Sequence, residues 1–396
     1  MKRTTLILAA ALFALSAFAQ EKKDGYSFTT VKENPITSVK NQSSSGTCWS
    51  FSGIGFLESE LIRMGKGTYD LSEMFIIRKN FEDKAKKYIR TNGHLNFAAG
   101  GSFADVFEAM NDYGLIPDAD YRGLNYGTDI HKHGEMDNAL SAYVKSIREN
   151  KNGTLSTAWY RGFQGIVDAY LGQVPETFTY NGKSYTPASF RDMLGLKASD
   201  YVSLTSFNHY PFYKTFIIEV PDNWRWAESY NLPLDELIQV IDNALEKGYT
   251  VAWASDVSEM GFTRDGIGIV PDENAPENAG SDQARWLGLS VNERNSQLQT
   301  KIYKGENIAE KNVTQEMRQT AYDNYQTTDD HGMLIYGIAN DQYGKKYYMV
   351  KNSWGETGKY KGLWYVSEAF VRYKTLNLAV NKQALPKNIS SKLGVK

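Results

Sequence analysis

Cysteine is nearly absent from this sequence of 396 residues, because Cys48 is the only one. A single cysteine cannot form an internal disulfide, so the chain must fold without the cross-links that are common in exported proteins. The ordinary interpretation of a lone cysteine is a small buried hydrophobe. Its alternatives are a bridge to a second chain and a thiol that takes part in chemistry.

Strong net charge and long apolar runs are lacking as well. The formal net charge is -2, which gives no reason to expect a nucleic acid or an anionic membrane surface as a partner. The apolar run from Leu6 to Phe18 is too short to span a bilayer, and no later run is long enough. Apolar content of 41% and charged content of 23% indicate a soluble globular protein larger than one average domain.

The first 19 residues have the features of a signal peptide. Lys2 and Arg3 supply the positive end, the apolar run follows, and residues 17–19 (Ala-Phe-Ala) form a small-x-small cleavage site. We therefore expect a mature chain that begins at Gln20, is exported to the periplasm or the cell exterior, and carries no membrane anchor. The alternative is a buried N-terminal helix.

Cys48 lies where a polar loop meets a predicted helix. Residues 42–47 (Gln-Ser-Ser-Ser-Gly-Thr) are small and polar, and apolar residues recur from Phe51 to Met64 at steps of 3, 3, 4 and 3. A helix start offers free backbone N–H groups and the positive end of the helix dipole, and both favour a thiolate. This position favours a reactive cysteine over a buried one.

Candidate partners of Cys48 occur far along the chain. His331 opens one apolar strand in the run Asp330-His331-Gly332, and Asn352 closes the next in residues 351–355 (Lys-Asn-Ser-Trp-Gly). The order Cys, His, Asn is typical of a thiol hydrolase whose imidazole activates the thiol and whose amide orients the imidazole. We therefore predict catalytic roles for Cys48, His331 and Asn352.

These motifs resemble those of the papain superfamily of cysteine peptidases. The matching residues are Gln42, residues 48–51 (Cys-Trp-Ser-Phe), Asp330-His331 and residues 352–355 (Asn-Ser-Trp-Gly). The 283 positions between nucleophile and histidine are about twice what a papain-like domain needs, which resembles the bleomycin hydrolase and aminopeptidase C branch with its large insertion. Many papain-like enzymes have a disulfide-bonded cysteine in the loop before the nucleophile, where this chain has serines.

The resemblance implies an α+β fold in two parts with a large insertion. One part is a helical half with the nucleophile helix, and the other is an antiparallel β half with the histidine and the asparagine. The expected boundaries are 1–19 for the signal peptide, 20–121 for the helical half, 122–212 for the insertion, 213–380 for the β half and 381–396 for a tail in the active-site cleft.

The resemblance also implies roles for further residues. Gln42 and the backbone N–H of the nucleophile would form the oxyanion hole. Trp354 would shield the histidine–asparagine bond and contribute to substrate binding, although plain core packing of Trp354 is the alternative. Gly100 and Gly101 would border the cleft and bind the substrate backbone, and their alternative is a simple helix-entry turn.

The last residue, Lys396, is the expected determinant of specificity. In this branch the terminal carboxylate pairs with the free α-amino group of a substrate and restricts cleavage to the N-terminal residue. A terminal lysine departs from the small or apolar endings of the branch, and a frayed terminus is the alternative. The branch often forms closed hexamers, so a homo-oligomer is implied by resemblance alone.

No metal ion or other cofactor is expected. His131 and His133 are one residue apart, but no cysteine or carboxylate cluster accompanies them, so the sequence favours a solvated loop over a metal site. From residue 256 to residue 312 polar residues and glycine dominate, and long loops are expected there.

The leading hypothesis is an exported cysteine aminopeptidase that acts on peptides through an acyl-enzyme intermediate. By resemblance, its thiol and imidazole rest as an ion pair at neutral pH. The first rival is a papain-like endopeptidase with an open cleft, which would cleave N-blocked peptides. The second is a catalytically silent binding protein of the same fold.

Overall fold

The computed structural model describes residues 25–272 and 290–395, so the predicted signal peptide and Lys396 lie outside the described residues. The helices are α1 Cys48–Arg63, α2 Glu73–Arg90, α3 Phe103–Tyr113, α4 Gly134–Arg148, α5 Ala158–Leu171, α6 Pro187–Leu194, α7 Leu234–Glu246, α8 Val291–Tyr303, α9 Gln315–Asp323, α10 Glu368–Lys374 and α11 Lys387–Leu393. The strands are β1 Phe28–Glu33, β2 Phe178–Tyr180, β3 Lys183–Tyr185, β4 Tyr201–Thr205, β5 Thr215–Ile217, β6 Glu228–Asn231, β7 Val251–Ser255, β8 Ile267–Gly268, β9 His331–Asp341, β10 Lys346–Lys351, β11 Leu363–Ser367 and β12 Thr375–Asn381.

A mixed sheet of ten strands is the centre of the structure. Its order is β5-β6-β4-β12-β7-β9-β10-β11-β8, and β1 pairs with β9 off this path. The inner strands from β4 to β11 are antiparallel, whereas β6 beside β4 and β8 beside β11 run parallel to their neighbours. Helices and a mixed, largely antiparallel sheet confirm the predicted α+β class.

The two faces of this sheet belong to two different cores. Alternate residues of a strand point to opposite faces, and on β7 and β9 they divide accordingly. Ala252 and Leu334 pack with α1 and the other N-terminal helices, whereas Trp253, Met333 and Ile335 pack with α7. The sheet therefore separates the helical half from α7.

The predicted insertion at 122–212 is not a separate body. Helices α4, α5 and α6 contribute to the same apolar core as α1, α2 and α3, and β4 is an inner strand between β6 and β12. On α4 the fully buried residues Met136, Leu140 and Val144 follow one another at steps of four, so one stripe of the helix faces that core. The extra residues thus enlarge the helical half and extend the sheet.

The C-terminal segment lies on the face of the sheet opposite α1. Leu385, Ile389, Leu393 and Val395 are buried in the core that contains α7, and Asn243 of α7 donates to a backbone carbonyl of the segment at 2.5 Å. The prediction that the tail lies in the active-site cleft is therefore wrong for residues 381–395.

Two smaller expectations also differ from the structure. The region from 256 to 312 contains β8 and α8, where loops were expected. Ser290 and Glu293 form a capping box at the start of α8, and Leu298 and Ile302 are its buried residues. Over the described ranges no helix is long and apolar enough to cross a membrane.

Candidate active site

Cys48 is the first residue of α1 and is partly exposed to a cleft between α1 and the sheet. The N–H groups of a first helical turn have no intrahelical acceptor. The N-cap residue Thr47 makes no side-chain capping bond. Backbone donors thus remain available beside the thiol, as the sequence predicted for a nucleophile at a helix start.

Gly332 brings β9 against the first turn of α1. A Cβ atom on Gly332 would lie 2.8 Å from Ser52 Oγ and 3.2 Å from Trp49 Cα, both on α1. Because contacts this close exclude a side chain, only glycine lets the strand approach the helix here. His331, the preceding residue and the first of β9, consequently lines the same cleft as Cys48.

Asn352 fixes the orientation and the tautomer of His331. Asn352 Oδ1 lies 2.8 Å from His331 Nε2 and accepts the Ser353 N–H at 2.7 Å. Because the Ser353 N–H can only donate, the atom between the two neighbours is the amide oxygen, and Nε2 of the neutral imidazole carries the proton. Nδ1 is then the basic nitrogen of His331.

Trp354 stacks on the imidazole of His331, with ring centroids 4.7 Å apart. It is not among the residues that line the described cleft. The position agrees with the shielding role that the resemblance implied and gives no support to the prediction of direct substrate binding. We expect Trp354 to act through His331.

Gln42 is buried beside the nucleophile loop and is held at both ends of its amide. Its Nε2 donates to the Ser45 carbonyl at 2.7 Å, and its Oε1 accepts from Ser353 Oγ at 2.6 Å. An amide nitrogen has two hydrogens, so one remains for a ligand in the cleft that Gln42 lines. This is the arrangement expected of an oxyanion-hole donor.

The cleft beside these residues is a cavity of about 360 Å³. Gly100 and Gly101 form part of one wall, and each glycine has a steric reason: a side chain on Gly100 would collide with the Asp222 carboxylate, and one on Gly101 would lie 2.8 Å from Trp49. Leu376 and Asn377 of β12 also line the cavity. Binding of the substrate backbone by the two glycines remains a prediction.

Residues 218–227, which connect β5 to β6 and which we call the β5–β6 connection, contribute several residues to the lining of the cavity. Arg225 attaches it to the helical half: its guanidinium lies 2.7 Å from Asp105 of α3 and 2.8 and 3.1 Å from Asn80 and Asp83 of α2. Trp224 is buried against the same guanidinium. The connection therefore bridges the two halves beside the cleft.

Comparison with known proteins agrees with this geometry. The family described as papain family cysteine protease matches residues 26–168, and the Peptidase C1-like family matches residues 273–395. Aminopeptidase C of Lactobacillus delbrueckii subsp. lactis is 23% identical over 96% of this chain and 86% of its own length. The two matches include every predicted catalytic residue.

The chain belongs to the papain-like cysteine peptidases. Within them it lies in the aminopeptidase C and bleomycin hydrolase branch, as aminopeptidase C of Streptococcus thermophilus also indicates, with 22% identity over 88% of this chain and 81% of its own. The crystal structure of PepW from Lactobacillus rhamnosis HN001 has the same fold, with a TM-score of 0.68, 18% identity, and 92% of this chain and 84% of that chain covered.

Burial disfavours a lone charge on either member of the peptidase's catalytic pair. It raises the pKa of the Cys48 thiol to about 12, the N–H groups of Gly332 and Trp49 lower that pKa, and the carboxylate of Asp329 raises it. Burial lowers the pKa of His331 to about 4, although its bond to Asn352 opposes this. These directions run against the predicted resting ion pair, so thiolate and imidazolium are stable here only when they form together.

Two acidic residues of the cleft were not predicted from the sequence. Asp329 and Asp222 both line the cavity. The sequence signal for Asp329 was its place directly before the Asp330-His331 motif. Asp222 had no such signal, because the β5–β6 connection contacts the helical half only in the folded chain.

His131 and His133 do not lie on a solvated loop. His133 is fully buried at the start of α4, and the rings of the two histidines are 5.6 Å apart. Burial lowers the pKa of both to about 4. The described residues contain no group of three potential ligands that could hold a metal ion.

Proposed function

We propose that this cysteine peptidase is an aminopeptidase that releases residues from the N-termini of peptides. The proposal is carried by the β5–β6 connection, which lines the same cavity as Cys48 and is attached to the helical half through Arg225. We infer that this connection closes one end of the cavity. A bounded cavity limits how much of a substrate can extend beyond the scissile bond on that side. The relatives named aminopeptidase C support the same conclusion.

The bounded end is the side that receives the acyl portion of the substrate. His331 protonates the leaving amine, so the leaving peptide lies on the side of His331 and Trp354. Trp354 does not line the described cavity, which extends from Cys48 along Gly100 and Gly101 to the β5–β6 connection. The acyl residue therefore has the cavity, and its volume of about 360 Å³ is near the lower end of the usual range for small-ligand sites, about 300–1,000 Å³.

The chemistry follows from the positions of the four catalytic side chains. The thiolate of Cys48 attacks the carbonyl carbon, and the developing oxyanion is bound by the Cys48 N–H and Gln42 Nε2. The C–N bond breaks as the imidazolium of His331 gives its proton to the leaving amine. Water then attacks the thioester, His331 takes its proton, and the free acid and the thiol are restored.

An endopeptidase and a silent binding protein are the alternatives. An endopeptidase needs a cleft open at both ends, so that peptide can continue past the acyl residue. A silent protein has no chemical need for the bonds that hold Gln42 and Asn352 in place. The bounded cavity and these bonds favour the aminopeptidase.

A peptide digest tests the proposal. We would incubate residues 20–396 under reducing conditions with a decapeptide and with its N-acetylated form, and follow the products by mass spectrometry. Sequential loss of N-terminal residues from the free peptide alone supports the aminopeptidase. Internal cleavage of the acetylated peptide contradicts it. No cleavage of either by the wild-type chain, under conditions where Cys48 reacts with an alkylating agent, favours the silent protein.

We further propose that the peptidase is exported. The support is the sequence of residues 1–19, with its basic start, apolar run and small-x-small site. Expression of the full chain in a Gram-negative host, followed by N-terminal sequencing of the periplasmic fraction, tests this. A mature N-terminus at Gln20 is expected, and an uncleaved cytoplasmic product would contradict export.

A further inference from the structure

The acyl end of the active-site cavity contains two carboxylates without a cationic partner. Asp329 and Asp222 line the cavity. Neither forms an ion pair with any described residue within 4 Å, and Asp329 accepts no hydrogen bond from the described part of the chain. Asp222 receives one bond, from the amide of Asn96 at 3.1 Å. The cavity therefore presents two acids that have no described cation at ion-pair distance and that are negatively charged once they ionise.

Asp330, the residue after Asp329, is a carboxylate of this region that does have hydrogen-bond partners. Asp330, which also lines the cavity, accepts the Val257 N–H at 2.9 Å and interacts with Asp256 and Ser258. Asp256 in turn binds Ser258 and lies 3.5 Å from Lys374. Asp329, one residue earlier, has no such partners.

Lys84, a buried lysine of this region, forms its hydrogen bonds with backbone carbonyls and not with the two acids. Lys84 Nζ donates to the carbonyls of Ala98 at 2.7 Å and Gly100 at 2.6 Å. Its charge favours ionisation of Asp222 but lies beyond ion-pair distance. Lys84 thus stabilises the cleft wall, and the two acids remain available to a cation from solution.

Without a bound cation, these acids disfavour the thiolate form of Cys48. Asp329 and, more weakly, Asp222 raise the pKa of the Cys48 thiol, because a carboxylate near the sulfur disfavours a thiolate. Burial and the two neighbouring acids Asp222 and Asp330 raise the pKa of Asp329 to about 7. A cation bound between the acids and the scissile bond would lower the pKa of the Cys48 thiol and the pKa of Asp329.

We propose that Asp329, assisted by Asp222, binds the α-ammonium group of the substrate's N-terminal residue and is the specificity determinant of this peptidase. The proposal rests on the proposed aminopeptidase function. In an N-terminal residue the ammonium is separated from the scissile carbonyl by one carbon atom, so it must enter the acyl cavity with that residue. Residues 381–395 lie on the other face of the sheet, whereas the two acids line the cavity.

The test compares substrates that differ only in this charge. Alanyl and lactyl anilides present the same shape, with an ammonium group in the first and a hydroxyl group in the second. We expect Asp329→Asn to lower kcat/KM for the alanyl compound about 10- to 100-fold, as for loss of a charge-assisted hydrogen bond, and to leave the lactyl compound within about threefold. Asp222→Asn should show a smaller loss of the same kind.

A matched control and a second measurement make the outcome decisive. Asp112→Asn makes the same charge change at the exposed end of α3, away from the cavity, and should change neither substrate. Equal losses on both substrates, or no loss on either, would overturn the proposal. If Asp329→Asn does not fold, protection of wild-type Cys48 from alkylation decides, since alaninamide should protect at least about tenfold better than lactamide.

Failure of the aminopeptidase function can be distinguished from failure of the role proposed for Asp329. If the wild type cleaves N-acetylated peptides as well as free ones, the aminopeptidase assignment fails whatever the variants do. If the wild type is an aminopeptidase but Asp329→Asn keeps its preference for the alanyl compound, only the present inference fails.

Discussion

At the residue scale, the catalytic thiol and imidazole depend on each other for their charge. The sequence predicted an ionised pair from the resemblance alone, and Cys48 and His331 do line one cleft, with Asn352 bonded to His331. Burial could not be read from the sequence, and it opposes a single charge on either group. An ion pair here therefore requires that the mutual attraction of thiolate and imidazolium outweigh the cost of burial.

Removal of the imidazole should suppress the reactivity of the thiol. Because burial raises the pKa of a lone Cys48 thiol, His331→Ala should alkylate with iodoacetamide at pH 6 at least about tenfold more slowly than the wild type. The rate constants follow from mass spectrometry of the labelled chain. Tyr325→Ala, a highly exposed position, serves as the control. Equal rates in the wild type and His331→Ala would show that no ion pair forms.

The charge of Asp329 should cost stability at high pH. Its pKa is raised to about 7 in the folded chain, from about 3.9 when unfolded, so the free energy of unfolding falls as the pH rises between these values. Asp329→Asn should therefore melt at a higher temperature than the wild type at pH 8 and at nearly the same temperature at pH 4. A variant less stable than the wild type at pH 8 would contradict the unpaired carboxylate.

At the scale of elements, the approach of β9 to α1 positions the catalytic pair. The sequence predicted both elements from their periodicity, because their apolar residues follow one pattern over many positions. It did not predict that Gly332 touches Trp49 and Ser52, since contacts between distant elements leave no local pattern. The same limit explains why the β5–β6 connection was missed.

Gly332→Ala should separate the pair without unfolding the chain. Its Cβ would press on Ser52 Oγ and the backbone of Trp49, so we expect kcat to fall at least about tenfold. Gly165→Ala is the matched control, because its Cβ would point into open space on α5. The control should keep full activity and gain up to about 1 kcal/mol of stability. Full activity in Gly332→Ala would contradict the steric argument.

Loosening the β5–β6 connection should open the acyl end of the cavity. The double variant Arg225→Gln with Asp105→Asn removes the ion pair to α3 together with one charge of each sign. We expect the ratio of kcat/KM for N-acetylated over free substrates to rise about tenfold, measured with fluorogenic peptides. Arg148→Gln, on the exposed end of α4, should leave the ratio unchanged. An unchanged ratio in a folded double variant would mean that the connection does not bound the site.

At the scale of the whole molecule, the sheet divides the protein into a catalytic side and a side that holds the tail. The two-part α+β fold followed from the sequence because the motifs at both ends of the chain resemble one family. The insertion boundaries and the tail did not follow, since burial of Met136, Leu140 and Val144 or of Ile389 depends on partners remote in sequence.

Shortening the chain by one residue tests the position of the tail. Because residues up to Val395 are packed against the core of α7, a chain that ends at Val395 should keep the wild-type ratio of free over N-acetylated cleavage within about twofold. Steady-state kinetics with the same peptides measure it, and Ile389→Ala should lower stability by about 2–5 kcal/mol without changing the ratio. A tenfold fall in the ratio on removal of Lys396 would assign specificity to the terminal carboxylate.

The most direct test of the cysteine aminopeptidase function is the kinetics of one matched pair of substrates. Leucyl and N-acetyl-leucyl aminomethylcoumarin would be assayed with the wild type and Cys48→Ala under reducing conditions. We expect the wild type to cleave the free-amino compound at least about a hundredfold more efficiently and Cys48→Ala to cleave neither. Comparable cleavage of the acetylated compound, or activity that survives in Cys48→Ala, would contradict a cysteine aminopeptidase.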